Sequence, residues 1–139
     1  MISLTRRYRF PAAHVLRHPG LSDAENARIY GKCANPAGHG HDYGLEITVA
    51  GGVDAASGQI VAREWLDALV AELVLDRFGH SLLNEDPAFA RQVPTAENIA
   101  LATFAELAPA IAAERSGARL VRVRLEETRK NSFETGDTR

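Results

Sequence analysis

Stretches in which every second residue is apolar constrain the fold of this chain more than any other feature. Residues 2–10, 43–50 and 119–126 alternate in this way, which is typical of strands with one buried face. Arg6 is the one misfit in the first stretch. NSFET, at 131–135, predicts a short fourth strand.

Between the second and third strands the apolar period changes to that of a helix. A stripe that starts at about Arg63 predicts one amphipathic helix, and Pro94 and Thr95 open a second, with Thr95 as its N-cap. Pro109 is expected to bend or end the second helix. The order ββααββ predicts an α+β domain, with an antiparallel four-stranded sheet and two helices on one face.

Length and charge limit the classes of function. The chain has 139 residues, which fits a single domain, 1–139, with one core. Its formal charge of -2 gives no electrostatic reason to expect nucleic acid or an anionic membrane as a partner. No apolar run is long enough to span a bilayer, and MISLTRRYRF lacks the apolar core of a signal peptide. A single cysteine cannot form an internal disulfide, and a cytoplasmic location is expected.

Residues 17–38 are rich in Gly, Pro, Asn and Asp and are predicted to form a long loop. Long loops in compact domains are usually functional. Cys33 lies in this loop beside Lys32, ahead of a histidine pair, and such surroundings lower a thiol pKa and favour a base or nucleophile. A buried structural cysteine is the alternative. His18, in the same loop, is interpreted as a surface residue.

The strand pattern also predicts where polar side chains meet. Side chains two residues apart on an extended chain face the same way. Val121, Val123 and Leu125 are predicted to face inward in the third strand. Continued past the strand ends, the inward positions fall on three histidines and one carboxylate: His14, His39, His41 and Glu127. Unpaired burial of a polar group costs about 2–7 kcal/mol, so these four side chains require partners.

Three imidazoles suit a catalytic zinc site, which keeps a fourth position open. His39 and His41 can converge on one ion, and His14 on another strand adds a third ligand, which favours a Zn²⁺ site over ordinary polar histidines. His80 lies in a stretch that breaks the first helix, where a general acid or base could be displayed. A structural histidine is the alternative there.

Five segments, in chain order, resemble one known family: FPAAH, GKCANPAGHGHDY, GHSLLNEDP, PTAEN and LEETRKNS. The family is that of 6-pyruvoyl-tetrahydropterin synthase, to which the 6-carboxy-tetrahydropterin synthases of queuosine biosynthesis also belong. The resemblance covers nearly the whole chain. It implies the T-fold (tunnelling fold), in which subunits form a barrel of strands, commonly as trimers stacked into a hexamer, with active sites between subunits. A homo-oligomer and a small-molecule pterin substrate are therefore expected.

The resemblance implies a role for each matching residue. The family's zinc ligands fall on His14, His39 and His41, in agreement with the strand pattern. Its catalytic thiol falls on Cys33, and its catalytic histidine falls on His80.

The pterin contacts implied by the resemblance fall on Glu127, which grips the ring, and on Thr95 and Glu97 near the pocket. Gly79 departs from the family, which usually has an Asp there to orient the catalytic histidine. Carboxylates nearby that are candidates to replace it are Asp76, Glu85 and Asp86.

The implied activity is that of a zinc-dependent carbon-oxygen lyase that acts on 7,8-dihydroneopterin triphosphate with loss of triphosphate. The six positions from Cys33 to His39 resemble the pyruvoyl enzymes more than the shorter-looped carboxy enzymes. The alternatives are a 6-carboxy-tetrahydropterin synthase, which is a carbon-carbon lyase, and a pterin-binding protein with weak or no lyase activity because of Gly79.

Overall fold

The computed structural model describes residues 1–136, so residues 137–139 of the predicted domain lie outside the described part. The described chain forms an antiparallel sheet of four strands in the order β1-β2-β3-β4. These strands are β1 (Ile2–His14), β2 (His39–Gly51), β3 (Arg119–Thr128) and β4 (Asn131–Gly136). The predicted order of the strands along the chain and the predicted antiparallel four-stranded sheet are confirmed.

Helices between β2 and β3 cover one face of the sheet. Helix α2 (Arg63–Val70) continues through a π-helical turn, Ala71–Leu75, into a last turn, Asp76–Phe78. The long helix α3 spans Ala96–Ala112, and the Thr95 hydroxyl caps it by accepting a hydrogen bond from Asn98 N at 3.2 Å. Pro109 does not end α3, which continues to Ala112. Helix α1 (Asp23–Tyr30) precedes β2 in the chain.

The core lies between the helices and the inward face of the sheet. Tyr43, Leu45, Ile47 and Val49 alternate along β2 and are at most 1% exposed. They pack in one cluster with apolar residues of α2 and α3, including Leu66, Val70, Ile99, Leu107 and Ile111. Burial of about 25 cal/mol per Å² of apolar surface in this cluster stabilises the fold that carries the strand ends.

Arg6 occupies an inward-facing position of β1, and its charge is paired with that of Asp67. Its guanidinium binds the Asp67 carboxylate of α2 through two hydrogen bonds of 3.0 and 2.6 Å, and Tyr8 OH donates to the same carboxylate at 2.7 Å. The misfit in the sequence pattern is therefore an ion pair that ties β1 to α2.

One inward position of β3 was wrongly predicted. The register between β2 and β3 shifts at Thr48 and Val49, so that Val49 pairs with Leu120 and Val121 is the extra residue. Leu120 is consequently buried, whereas Val121 is only half-buried. Val123 and Leu125 face the core as predicted.

The predicted loop at 17–38 contains a helix, α1 (Asp23–Tyr30), followed by a 3₁₀ turn, Gly31–Ala34. Ser22 caps α1 by accepting from Glu25 N, and its hydroxyl donates to the Glu25 carboxylate at 3.0 Å. Ser-x-x-Glu is the capping-box signal, and the sequence contains it. The prediction of a loop was wrong here because α1 has no apolar stripe. No helix within residues 1–136 has both the length and the apolarity to cross a membrane.

Candidate metal centre and catalytic groups

The pairing of β1 with β2 brings three imidazoles together at the strand ends. His14 pairs with His39 in the register, and Ala12 pairs with His41, so all three rings leave the sheet on the core side. The His14 and His39 Nε2 atoms are 2.9 Å apart. One nitrogen from each of His14, His39 and His41 lies within 4.8 Å of the others, which is the compactness that a single ion requires.

His14 is held in the tautomer that a metal ligand requires. It is fully buried, and its Nδ1 donates to the Pro94 carbonyl oxygen at 2.8 Å, which leaves the lone pair of Nε2 directed at the other rings. Burial lowers the pKa of His14, and the adjacent His39 lowers it further, although the bond to Pro94 opposes this. Burial and His41 likewise lower the pKa of His39. Neutral imidazole is the form that binds a metal.

His41 shows that these residues fit a metal. Its Nε2 is buried and has no hydrogen-bond partner within residues 1–136. Buried polar atoms are normally paired, and an orphaned one requires an explanation. An ion shared with His14 and His39 would supply the missing partner, and imidazole nitrogen is a preferred ligand of Zn²⁺.

A carboxylate approaches this cluster from β3. The register between β3 and β4 shifts between Glu126 and Thr128, and Glu127 turns inward while Glu126 pairs with Gly44 on β2. The Glu127 Oε2 lies 3.9 Å from His14 Nε2, and its side chain is 15% exposed. Asn131 Nδ2 donates to the other oxygen at 3.4 Å. Glu127 is thus beside the imidazole cluster without belonging to it.

Cys33 lies in the 3₁₀ turn after α1 and is half-buried. Its carbonyl accepts a hydrogen bond of 2.8 Å from Leu16 N, two residues beyond His14. Burial is the main cause of the raised pKa of Tyr43, and the Tyr43 hydroxyl is 3.3 Å from His14 Nδ1. The Cys33 thiol does not belong to the group of ligand nitrogens.

His80 is exposed and lies beside the outer edge of β1. Its N–H donates to the Pro11 carbonyl at 2.6 Å, and Ala13 N donates to Ser81 O at 2.9 Å. The residue has a φ of 58°, which is rare outside glycine. It lines an open pocket together with His41 and Asp42. The structure does not bring His80 and Cys33 together within one chain in the way that it brings the three imidazoles together.

The comparison with known proteins identifies the family. Residues 3–137 match the protein family described as 6-pyruvoyl tetrahydropterin synthase. The chain belongs to this family. A 6-pyruvoyl tetrahydrobiopterin synthase of Poecilia reticulata is 38% identical over 129 residues, covering 92% of this chain and 85% of the relative.

Two further similarities bear on fold and on activity within the 6-pyruvoyl tetrahydropterin synthase family. The structure of the Caenorhabditis elegans 6-pyruvoyl tetrahydropterin synthase superimposes with a TM-score of 0.89 at 37% identity, covering 99% of this chain and 96% of that one. The predicted T-fold is thereby confirmed. A putative 6-carboxy-5,6,7,8-tetrahydropterin synthase of Archaeoglobus fulgidus is 39% identical over 70 residues, covering 50% of this chain and 56% of the relative.

Gly79, which departs from the family pattern, lies where the packing leaves no room for a side chain. Its N–H donates to Leu75 O at 2.9 Å, and a Cβ built at this position would collide with the same carbonyl oxygen. A side chain at position 79 requires the backbone to move. Asp86, one candidate for the missing carboxylate, is engaged elsewhere: both its oxygens bind the Arg77 guanidinium, at 2.8 and 2.7 Å. Asp76 and Glu85 are exposed.

Thr95 and Glu97 lie at the start of α3, on the side of the imidazole cluster. Thr95 is half-buried and follows Pro94, whose carbonyl holds His14, whereas Glu97 is exposed in the first helical turn. The sequence reasoning did not identify the Pro94 carbonyl, because a backbone acceptor has no sequence signature. It also gave no role to Tyr43, although this residue shares the inward parity of His39 and His41.

Proposed function

We propose that this protein is a zinc-dependent 6-pyruvoyl-tetrahydropterin synthase-type lyase that acts on 7,8-dihydroneopterin triphosphate with loss of triphosphate. Membership of the family and the names of the Poecilia and Caenorhabditis relatives support a lyase of this type. The observation that carries the proposal is the convergence of three imidazoles, one with an orphaned nitrogen, beside the Glu127 carboxylate. We also propose a cytoplasmic location.

His14, His39 and His41 would hold the zinc ion. When bound, zinc supplies Lewis acidity toward the oxygens of the substrate side chain, which makes the adjacent C–H more acidic. Within the protein, the Pro94 carbonyl orients His14, and burial keeps His14 and His39 neutral and ready to bind. These features favour zinc binding at the cluster.

The remaining roles fall on five further residues. Cys33, as thiolate, takes a proton from the side-chain carbon, and His80 returns a proton. The Glu127 carboxylate accepts two hydrogen bonds from the N–H edge of the pterin ring, a planar arrangement that suits a carboxylate. Thr95 and Glu97 lie near the ring. Elimination of triphosphate then leaves the pyruvoyl side chain.

We infer that the active form is a homo-oligomer, a trimer or a hexamer, with sites between subunits. Among the described strands, β1 and β4 stand at the two edges of the sheet, and each has one side without a partner strand. Such edges favour pairing with another copy. His80 is exposed and lies at the β1 edge, where a neighbouring subunit can approach it. A light-scattering mass in solution tests this assembly.

Two other activities remain as alternatives. The match to the putative archaeal 6-carboxy-5,6,7,8-tetrahydropterin synthase supports the carboxy reaction, in which the side chain is cleaved and acetaldehyde is released. Gly79 supports a pterin-binding protein with weak or no lyase activity, because the usual orienting Asp is replaced by a residue that the packing fixes.

One experiment separates the three. The zinc-loaded protein is incubated with 7,8-dihydroneopterin triphosphate, and the products are identified by mass spectrometry together with free triphosphate. A pyruvoyl product with triphosphate supports the proposal, and a carboxy product with acetaldehyde supports the first alternative. Bound pterin without triphosphate release supports the second. The Cys33→Ala protein is the control: it is expected to keep its zinc and bind pterin without turnover.

A further inference from the structure

Helix α1 sets the position of Cys33. The 3₁₀ turn Gly31–Ala34 follows α1 with no intervening residue, so the thiol is carried on the end of the helix. Gly31 makes the bend between them with a φ of 57°, a conformation that glycine adopts at little cost. A displacement of α1 would therefore displace Cys33 as well.

Apolar packing does not hold α1 in place. Among the described residues of this helix, Asn26 is the one that is buried, and Ile29 is 53% exposed. A helix of eight residues is too short to be stable without tertiary contacts. The ion pair between Arg17 and Asp23 is exposed at the surface and contributes little.

The Asn26 amide supplies the missing contacts. Its Oδ1 accepts from His18 N at 2.8 Å, and its Nδ2 lies 3.2 Å from His18 O. The same Nδ2 reaches the carbonyl oxygens of Leu21 and Ser22 at 3.3 and 3.0 Å. The amide is 0% exposed, and its loss would remove these contacts and leave His18 N without its side-chain acceptor.

We propose that Asn26 is the positioning residue of the Cys33 thiol: its amide docks α1 on the segment after His14 and so fixes the thiol relative to the imidazole cluster. The backbone bond from Leu16 N to Cys33 O closes the same loop at its other end. Residues 16–33 thus form a loop that is held at its ends by the bond between Leu16 and Cys33 and across its middle by the bonds between Asn26 and His18. Without Asn26, the turn that carries Cys33 keeps the backbone bond at the closure, and α1 keeps the exposed ion pair between Arg17 and Asp23.

The test replaces Asn26 by Ala and follows three quantities. Because Cys33 is the single cysteine of the chain, the rate of alkylation by iodoacetamide reports on this thiol alone. We expect alkylation to become faster, zinc content to stay at one ion per chain, and kcat for 7,8-dihydroneopterin triphosphate to fall by about 100-fold, as for a small misplacement of a reacting group. KM is expected to change much less than kcat.

Asn84→Ala is the matched control. Its amide binds one residue of the same segment in the same manner, with Oδ1 accepting from Val15 N at 2.8 Å and Nδ2 donating to Val15 O at 2.9 Å. It comes from the segment after His80 and has no part in α1. We expect Asn84→Ala to lower the melting temperature and to leave the alkylation rate of Cys33 at the wild-type value.

Three outcomes would overturn the proposal: a wild-type alkylation rate in Asn26→Ala, a lowered kcat without faster alkylation, or equal acceleration in Asn84→Ala. Asn26→Asp, which keeps the acceptor for His18 N and loses the donated bonds, is expected to give an intermediate alkylation rate and serves if the Ala variant does not fold. The kcat measurement rests on the proposed function, whereas the alkylation measurement does not. Turnover by Cys33→Ala would therefore refute the role of the thiol and leave the positioning result standing.

Discussion

Different forces hold the imidazole cluster and the neighbouring loop that carries Cys33. His14, His39 and His41 extend from paired strands whose apolar residues lie in the core, so sheet register fixes them. The loop at 16–33 is held by the buried Asn26 amide, by backbone bonds such as that from Leu16 N to Cys33 O, and by an exposed ion pair. Hydrophobic burial is spread over many residues, whereas a single polar contact can be lost by a single substitution.

The segment after His14 connects these two regions. Val15 binds Asn84, Leu16 binds Cys33, and His18 binds Asn26, so the chain from 15 to 18 links the end of β1 to Cys33 and to the helix that carries it. Because different forces hold the cluster and the loop, we expect substitutions in the cluster to change metal affinity. Substitutions in the loop are expected to change the accessibility of the Cys33 thiol. The predictions below test this separation.

The largest effect is expected from His41→Ala. Loss of a partner that merely orients a ligand costs about 10- to 100-fold in metal affinity, and the loss of a ligand itself should cost more. Zinc affinity, measured by competition with a chelator, should therefore fall beyond that range, while the alkylation rate of Cys33 without zinc stays unchanged. Zinc binding at wild-type affinity would show that the three imidazoles do not act as one site.

Glu127→Gln is expected to raise KM for 7,8-dihydroneopterin triphosphate. Removal of a charge-assisted hydrogen bond costs about 1.5–3 kcal/mol, or roughly 10- to 100-fold in affinity. Glu126→Gln is the matched control, because Glu126 precedes it on β3 and pairs with Gly44 instead of turning toward His14. Equal effects of the two substitutions on KM would contradict a specific role for Glu127.

The same division explains how much of the site the sequence could predict. Period-two alternation is a local property, and it is sufficient to place His14, His39, His41 and Glu127 together once strands pair. A bulge disturbs it for one residue, and Val121 was wrongly placed for that reason. The alternation contains no information on the distance between strand ends, which comes from the pairing of β1 with β2.

The contacts of the loop could not be predicted in this way. Asn26 is buried for its hydrogen bonds, and no apolar period marks such a residue. The acceptor for His14 is the Pro94 carbonyl, 80 residues away in the sequence, and any residue type could supply it. The Ser22 and Glu25 capping box was the available signal for α1, and it predicts a helix start without saying what the helix packs against.

Gly79→Ala is expected to destabilise the protein by about 1–3 kcal/mol, the usual cost of forcing extra atoms into a packed site. The added methyl group would collide with Leu75 O. Gly52→Ala is the control, since a Cβ there has no described atom within 4 Å. The measurement is the urea midpoint of the zinc-free proteins. If both variants unfold at the same midpoint, the segment before His80 is more adaptable than the packing indicates.

The smallest effect is expected in the dependence of stability on pH. It tests the imidazole cluster alone, because it requires no substitution in the loop. The pKa values of His14 and His39 are lowered in the folded protein, mainly by burial. In the unfolded chain both histidines have a pKa of about 6.5. Below that pH the unfolded chain binds protons that the folded protein does not, so the free energy of unfolding falls as the pH drops through 6.5 toward the lowered values.

The zinc-free protein should therefore melt at a lower temperature at about pH 5.5 than at about pH 7.5. His39→Gln removes one of the two shifted groups and should give a shallower dependence of melting temperature on pH. Identical slopes for the two proteins would mean that burial of His39 does not contribute to the pH dependence of the melting temperature. A shallower slope would show that burial of the His39 imidazole lowers the free energy of unfolding at acid pH. The strands and the core, and not the imidazoles themselves, would then hold these rings together before metal binds.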